Sequence, residues 1–361
     1  MAIYIFNIIS ILIYRLLIKN DKRFCKVAAF QMFLILALRR EDIGGDLGGY
    51  KYVYNTVATW SWNDLVTNFR VFSRFNITGI VNGESSNIAT EGGYLVINWL
   101  LNHVGITFHG FLIILSALYM YSFGKFVEKY SQNILTSFIL FIGFTGYQYC
   151  FGLLRYWMAV SIFLLSIHFL EENRKVHFII IVIATFFVYR SMIIYLPLLY
   201  FYNKKIRKRQ LAGVGFSWII LLIASQWLYS KYLSSIMAHF GNVLMGEFRW
   251  NKMIILMFLT YFLIYGLVDS RVFEKPINRI TMWCFLLSVY IEILGMNNDT
   301  FARLIWMLFI GVVVLIPNLI EEYKDVRIRQ FALIAIYLMM FAMMLLTYEN
   351  YNIVPYRFFW E

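Results

Sequence analysis

The feature that most constrains this chain is a series of apolar runs, each long enough to cross a bilayer, separated by short basic turns. A span needs about 20 mostly apolar residues, because the hydrocarbon core is about 30 Å thick and a helix rises 1.5 Å per residue. Such runs lie at about 2–19, 24–38, 106–123, 134–150, 153–170, 211–229, 253–270, 280–296, 302–320 and 330–347, with a longer one from Val176 to Tyr202. With 61% hydrophobic and only 14% charged residues, the chain lacks the polar side chains that a soluble domain of this size needs for its surface. An all-α, polytopic transmembrane bundle is expected, as a single domain over 1–361. The net charge of +12 is distributed between apolar runs, as topology signals are, so the lipid bilayer is an expected partner and nucleic acid is not.

Orientation follows from lysines and arginines in the short turns. Arg15, Lys19, Lys22, Arg23 and Lys26 mark one cytoplasmic turn, Lys125 and Lys129 a second, Arg174 and Lys175 a third. The run at 176–202 has basic residues at both ends, with Lys204, Lys205, Arg207, Lys208 and Arg209 following it. A single crossing would put one cluster outside, so the spacing predicts a fold-back at Tyr189-Arg190-Ser191 between two helices of about 13 residues, each near 20 Å long. The total is then about twelve segments with both termini outside the cytoplasm. The stretch 39–105 has five Lys/Arg against six Asp/Glu, and is expected to be a long extracytoplasmic loop holding short amphipathic pieces such as Tyr94 to Leu101. The first run contains Arg15 and no small-residue cleavage site, so it is expected to stay as a span.

On that topology several arginines stand against the inside rule. Arg39 and Arg40 end the second span, Arg155 opens the fifth, Arg190 sits at the fold-back tip and Arg303 opens the run at 302–320. Guanidinium groups gathered on one side of a membrane point to an anion site, since they match phosphate by paired hydrogen bonds and stay charged. Simpler roles are open for each: interfacial anchors for Arg39 and Arg40, a tolerated ion pair for Arg155 and Arg303, and a solvated turn for Arg190. Asp46 and Asp299 are the carboxylates that could orient an arginine or accept a hydroxyl proton, or else lie in solvated loops. Histidines are unpaired at metal-ligand spacing, Asp-x-Asp is absent, and Cys25, Cys150 and Cys284 are far apart, so no metal site and no cofactor are expected. Trp60, Trp62 and Tyr94 in the outer loop could stack on sugar rings.

Ala37-Leu38-Arg39, Gly45-Asp46 and Tyr50, Glu91-Gly92-Gly93-Tyr94, Leu154-Arg155-Tyr156-Trp157-Met158-Ala159, and Val354-Pro355-Tyr356-Arg357 occur in that order over nearly the whole chain. In these motifs the chain resembles the EpsG branch of the Wzy-type polysaccharide polymerases. The resemblance implies a membrane glycosyltransferase of the cytoplasmic (inner) membrane. It would join repeat units carried on undecaprenyl pyrophosphate at the outer face, building O-antigen, capsule or exopolysaccharide, with a chain-length regulator as a further partner. It carries Asp46, Arg155 and Arg303 over as catalytic residues. Arg39, Arg40, Tyr50, Tyr189, Arg190, Asp299, Tyr356 and Arg357 are carried over as substrate-binding. Where relatives have a histidine at the fold-back, this sequence has Tyr189-Arg190-Ser191, which leaves the histidine's role to Tyr189, Arg190 or another residue. The chemistry implied is attack of a sugar hydroxyl on an anomeric carbon with departure of the lipid pyrophosphate, stabilised by arginine without a metal. A flippase for the same lipid, an O-antigen ligase and a membrane O-acyltransferase are the competing expectations.

Overall fold

The computed structural model describes residues 1–73, 90–228, 231, 252–267, 270–295 and 299–361. The architecture is all-helical, and among the described residues the only extended pairing is one antiparallel bridge between Arg39 and Phe358. The contacts form two compact units, Met1–Ser73 with Thr90–Ile193 and Lys324–Glu361, and Arg74–Ala89 with Ile194–Tyr323.

The first unit is built on α1 (Ala2–Leu17), α2 (Asp21–Ala37), α3 (Leu47–Ala58), α4 (Trp62–Ser73), α5 (Gly92–His103) and α6 (Phe108–Tyr130). It continues with α7 (Ile134–Gly143), α8 (Gly146–Gly152), α9 (Leu154–Glu171) and α10 (Lys175–Phe186). Polar residues at the predicted turns start the helices: Asn20 accepts from the Arg23 amide at 2.9 Å, and Thr107 from that of Gly110 at 3.1 Å. α2 and α6 run antiparallel, since the Cys25 thiol donates to the Gly124 carbonyl at 3.3 Å while Arg39, past the other end of α2, reaches Ser116. α9 lies alongside α6, where the Tyr119 hydroxyl donates to the Leu154 carbonyl at 2.8 Å.

The last helix of this unit, after the numbered helices of the second, is Val326–Thr347. It presents Phe331, Ile334, Leu338 and Leu346 outward, the apolar exterior of a helix that faces lipid. Gln148 holds it through Thr347 at 2.9 Å. The tail beyond it returns to the start of the chain: Tyr4 donates to the Ile353 carbonyl at 2.7 Å, and the Arg40 amide to that of Arg357 at 3.0 Å.

The second unit holds α11 (Leu198–Phe201), α12 (Lys208–Leu228), α13 (Lys252–Leu267), α14 (Pro276–Gly295), α15 (Asp299–Phe309) and α16 (Val312–Glu321). In it α14 and α16 are tied by a buried amide pair, Asn318 donating to Asn278 at 2.8 Å.

Five helices are long and apolar enough to cross a membrane: Phe108–Tyr130, Leu154–Glu171, Pro276–Leu294, Arg303–Glu321 and Val326–Thr347. A sixth counts if the pair α7 and α8, bent by 56°, is one span. The expected total of about twelve therefore exceeds what helix length and apolarity support; α1, with 16 residues, and α10, with 12, fall short. The run expected as one span at 134–150 is broken because Thr145 takes a left-handed conformation (φ 65°). The expected fold-back pair is half correct. α10 ends at Phe186 and the tip falls at the predicted triplet, but the second arm is a 3₁₀ turn, Arg190–Tyr195, and the four-residue α11. Pro197 sits where that arm would need an interior N–H, so an α-helix of about 13 residues cannot form through it. The expected outer loop at 39–105 is largely helical, carrying α3, α4 and α5; of these α5 covers the predicted amphipathic piece, and residues 74–89 lie outside those described.

Candidate active site

At one end of the first unit the residues from Thr90 to Tyr94, the start of α9 and the tip after α10 come together. The contact that joins the first and last of these needs a glycine. Gly93 donates its amide to the Phe187 carbonyl at 2.8 Å, and a Cβ on Gly93 would stand 2.7 Å from that oxygen. A second glycine joins the Asp46 loop to the same region: Gly44, at φ +135°, packs its backbone on that of Phe151 and Gly152, three residues before Arg155.

Arg155 is the centre of the cluster. Its Nη1 donates to Thr90 Oγ1 at 2.7 Å and forms an ion pair with Glu91 Oε2, the other carboxylate oxygen of which accepts the Arg190 amide at 3.3 Å. The guanidinium lies 5.7 Å from the ring centre of Tyr50 and 5.8 Å from that of Tyr94, a cation–π environment on two sides. Tyr189 is buried at the tip and meets Tyr156 edge-on at 6.0 Å. Both members of the ion pair are mostly buried, their side chains 19% and 12% exposed. Arg155 Nε and the Tyr94 hydroxyl are buried with no hydrogen-bond partner among the described residues. Burial pushes the Tyr94 phenol well above its ordinary range, so it stays neutral.

Of the residues singled out in the sequence, Tyr50, Arg155, Tyr189 and Arg190 are brought together here. Arg39 is elsewhere and fully enclosed. It donates to the Leu36 carbonyl, to Ser116 Oγ at 3.3 Å and to the Phe151 carbonyl at 3.2 Å, with its charge 5.3 Å from the Phe151 ring. Enclosure without a carboxylate lowers its pKa from the usual arginine value. Arg40 pairs with Asp42, holding that carboxyl below its usual range. Together with Lys51, paired to Glu41 at 2.7 Å, they border a cleft of about 670 Å³ that also meets His109, Asn352 and Phe359. Asp46 is exposed at the start of α3, where its side chain does not cap the helix. Tyr356 donates to the Ile35 carbonyl at 2.8 Å and Arg357 is exposed beside it. Arg303 is exposed on α15 of the second unit, which begins at Asp299.

Sequence reasoning quoted Glu91 within a motif and gave it no role. The available signal was arithmetic: an arginine expected inside the bilayer needs an acid, and Glu91 is the acid of a Gly-Gly motif that starts a helix. No group of three metal-binding side chains occurs among the described residues.

An all-helical membrane protein with an acid-paired arginine set between aromatic rings at one end of its helices is the class that this fold and site define. The model of the EpsG family matches residues 22–358, nearly the whole chain. The chain therefore belongs to the EpsG family, a family of Wzy-type polymerases, which points to a polysaccharide polymerase type of function in a membrane. No curated protein and no solved structure matches it.

Proposed function

We propose that the protein is a membrane glycosyltransferase that polymerises undecaprenyl-pyrophosphate-linked repeat units at the extracytoplasmic face of the cytoplasmic membrane. Family membership supports the polymerase class. The observation that carries the site is Arg155, a mostly buried guanidinium whose charge is matched by one carboxylate that an incoming anion can replace.

The acceptor sugar hydroxyl attacks the anomeric carbon of the donor chain, the bond from that carbon to the pyrophosphate oxygen breaks, and the hydroxyl proton passes to a carboxylate. Charge grows on the departing pyrophosphate, and a guanidinium in a low-dielectric pocket stabilises it more than water does. Arg155 is the first group assigned to this task. Arg303 is assigned the same chemistry from its residue type and its place before a late span. Asp46 is the proposed base: it is exposed, while the loop that carries it packs on Gly152, close in sequence to Arg155. Tyr50 and Tyr189 are assigned to sugar stacking and Arg190 to the lipid pyrophosphate. Arg40, Tyr356 and Arg357, around the cleft and tail, are proposed to bind the growing glycan, as is Asp299. Arg39 is proposed to hold the substrate face in shape. Chain-length control by a separate regulator protein belongs to the same proposal.

The test is a ladder of glycan lengths with protein level measured in parallel. Arg155→Ala and Arg303→Ala are expected to abolish long polymer while protein remains in the membrane, with partial rescue by Lys, which lacks the planar fork. Turnover in excess EDTA is expected to match that with Mg²⁺, and Asp46→Asn to slow turnover more than donor binding. Unchanged ladders in both alanine variants would remove the pyrophosphate assignment.

The bent span at 134–152 favours a second function, export of the same lipid-linked unit, since transporters use broken helices. Cells lacking a polymerase keep single units on surface lipid; cells lacking a flippase do not.

A further inference from the structure

At the end of the first unit remote from Arg155, two clefts adjoin. One, about 420 Å³, runs between α2 and α6 with Gly124 on its floor and Phe30, Phe33 and Tyr121 along its sides. The other, about 450 Å³, lies where the start of α2 meets the end of α6 and α9, and is lined by Lys22, Lys129 and His168. Lys125 and Glu128 belong to both, so an apolar groove opens directly into a basic one. Phe30 and Tyr121 are each 59% exposed, as groove walls facing lipid would be. The cations are incompletely matched. Lys125 pairs with Glu128 at 3.7 Å and Lys129 with Glu171 at 3.0 Å, whereas Lys22 and Lys26 have no ion pair among the described residues.

We propose that this pair of clefts binds one anionic diacyl phospholipid, its phosphodiester in the basic cleft and an acyl chain in the groove beside Gly124. The small residue at 124 supplies the depth: a Cβ there would already stand 3.3 Å from that of Ala29. A soluble anion would leave the apolar half empty, and a zwitterionic lipid would bring its own ammonium toward two unmatched lysines. The glycan-carrying lipid is served elsewhere, since Arg155 and His168 are 13 residues apart on α9, about 20 Å along its axis. Basic pockets between membrane helices recognise acidic headgroups on the same grounds.

The test uses the full chain, delipidated in detergent, with fluorescent phosphatidylglycerol and phosphatidylcholine. Tighter binding of phosphatidylglycerol is expected. The double variant Lys22→Gln/Lys26→Gln should lose about fivefold per lysine for that lipid and little for phosphatidylcholine. Ala117→Trp, at an exposed position in the groove wall, should weaken both lipids. Lys204→Gln/Lys205→Gln, exposed lysines of the second unit, should change neither. Equal binding of the two lipids by the wild type, a retained preference in Lys22→Gln/Lys26→Gln, or displacement by millimolar glycerol phosphate would each overturn the proposal.

Discussion

Glu91 does two opposing things to Arg155, and one substitution separates them. The carboxylate neutralises a guanidinium that is only 19% exposed, so its loss leaves a mostly buried, partly satisfied charge. Removing one partner of a fully buried pair costs about 3–5 kcal/mol; with the exposure seen here, Glu91→Ala should cost about 2–3 kcal/mol. Glu91→Gln still offers an oxygen to Arg155 and to the Arg190 amide, so about 1–2 kcal/mol is expected. The same carboxylate also competes with any anion that Arg155 binds. Glu91→Gln should therefore bind an isoprenoid diphosphate about tenfold more tightly, a gain of about 1.4 kcal/mol. The assay is thermal unfolding of the purified protein, alone and against rising farnesyl diphosphate, with the cycle closed by Glu91→Leu/Arg155→Met. A coupling of about 1–3 kcal/mol in stability is expected from that cycle. Additive single costs, or a Glu91→Gln variant that binds diphosphate no better than wild type, would show that the pair is not an anion-exchange site.

Three further outcomes are expected. Gly93→Ala should cost about 2–3 kcal/mol in thermal unfolding, because its Cβ would meet the Phe187 carbonyl, whereas Gly48→Ala, with nothing within 4 Å, should be neutral. Tyr94→Phe should change stability by less than about 0.5 kcal/mol at pH 7, since the hydroxyl has no partner. The phenol's pKa is raised by folding, so its contribution is complete below the unfolded value near pH 10 and is lost as pH rises through the higher folded value; an alkaline unfolding series should show a shallower loss in the Phe variant. Arg39→Ala should lower the amount of protein in the membrane, not only its product, because it strips two carbonyls and Ser116 of their donor in the interior.

Much of the fold follows from signals that are local in the chain. The Tyr94–Leu101 periodicity became α5, and the polar triplet at 189–191 marks where α10 gives way to a turn. The bend in the run at 134–152 was invisible to hydropathy because both halves are equally apolar and the break is a single left-handed Thr145. The shortness of the second fold-back arm was legible in Pro197, but the apolar length of the run outweighed it. The site was legible only in its parts. Arg155 is identified by its position in a span, while its acid lies 64 residues away in the chain, a separation no spacing rule reaches. Arg39 satisfies itself on backbone carbonyls, which have no sequence signature at all.

Burial therefore sorts cations that sequence treats alike. Lys22, Lys26, Lys125 and Lys129 are exposed at one end of α2 and α6, where charge need only stay in water to fix orientation. Arg39 and Arg155, at the opposite ends of α2 and α9, are withdrawn from water among carbonyls, a carboxylate and aromatic rings. Orientation gains nothing from that withdrawal, which costs several kcal/mol per ion before partners offset it. Arg39 meets the cost with fixed carbonyls, so its position serves the packing around α2. Arg155 meets it with a carboxylate, the one kind of partner that another anion can replace, and that difference makes Arg155 the centre of the proposed chemistry.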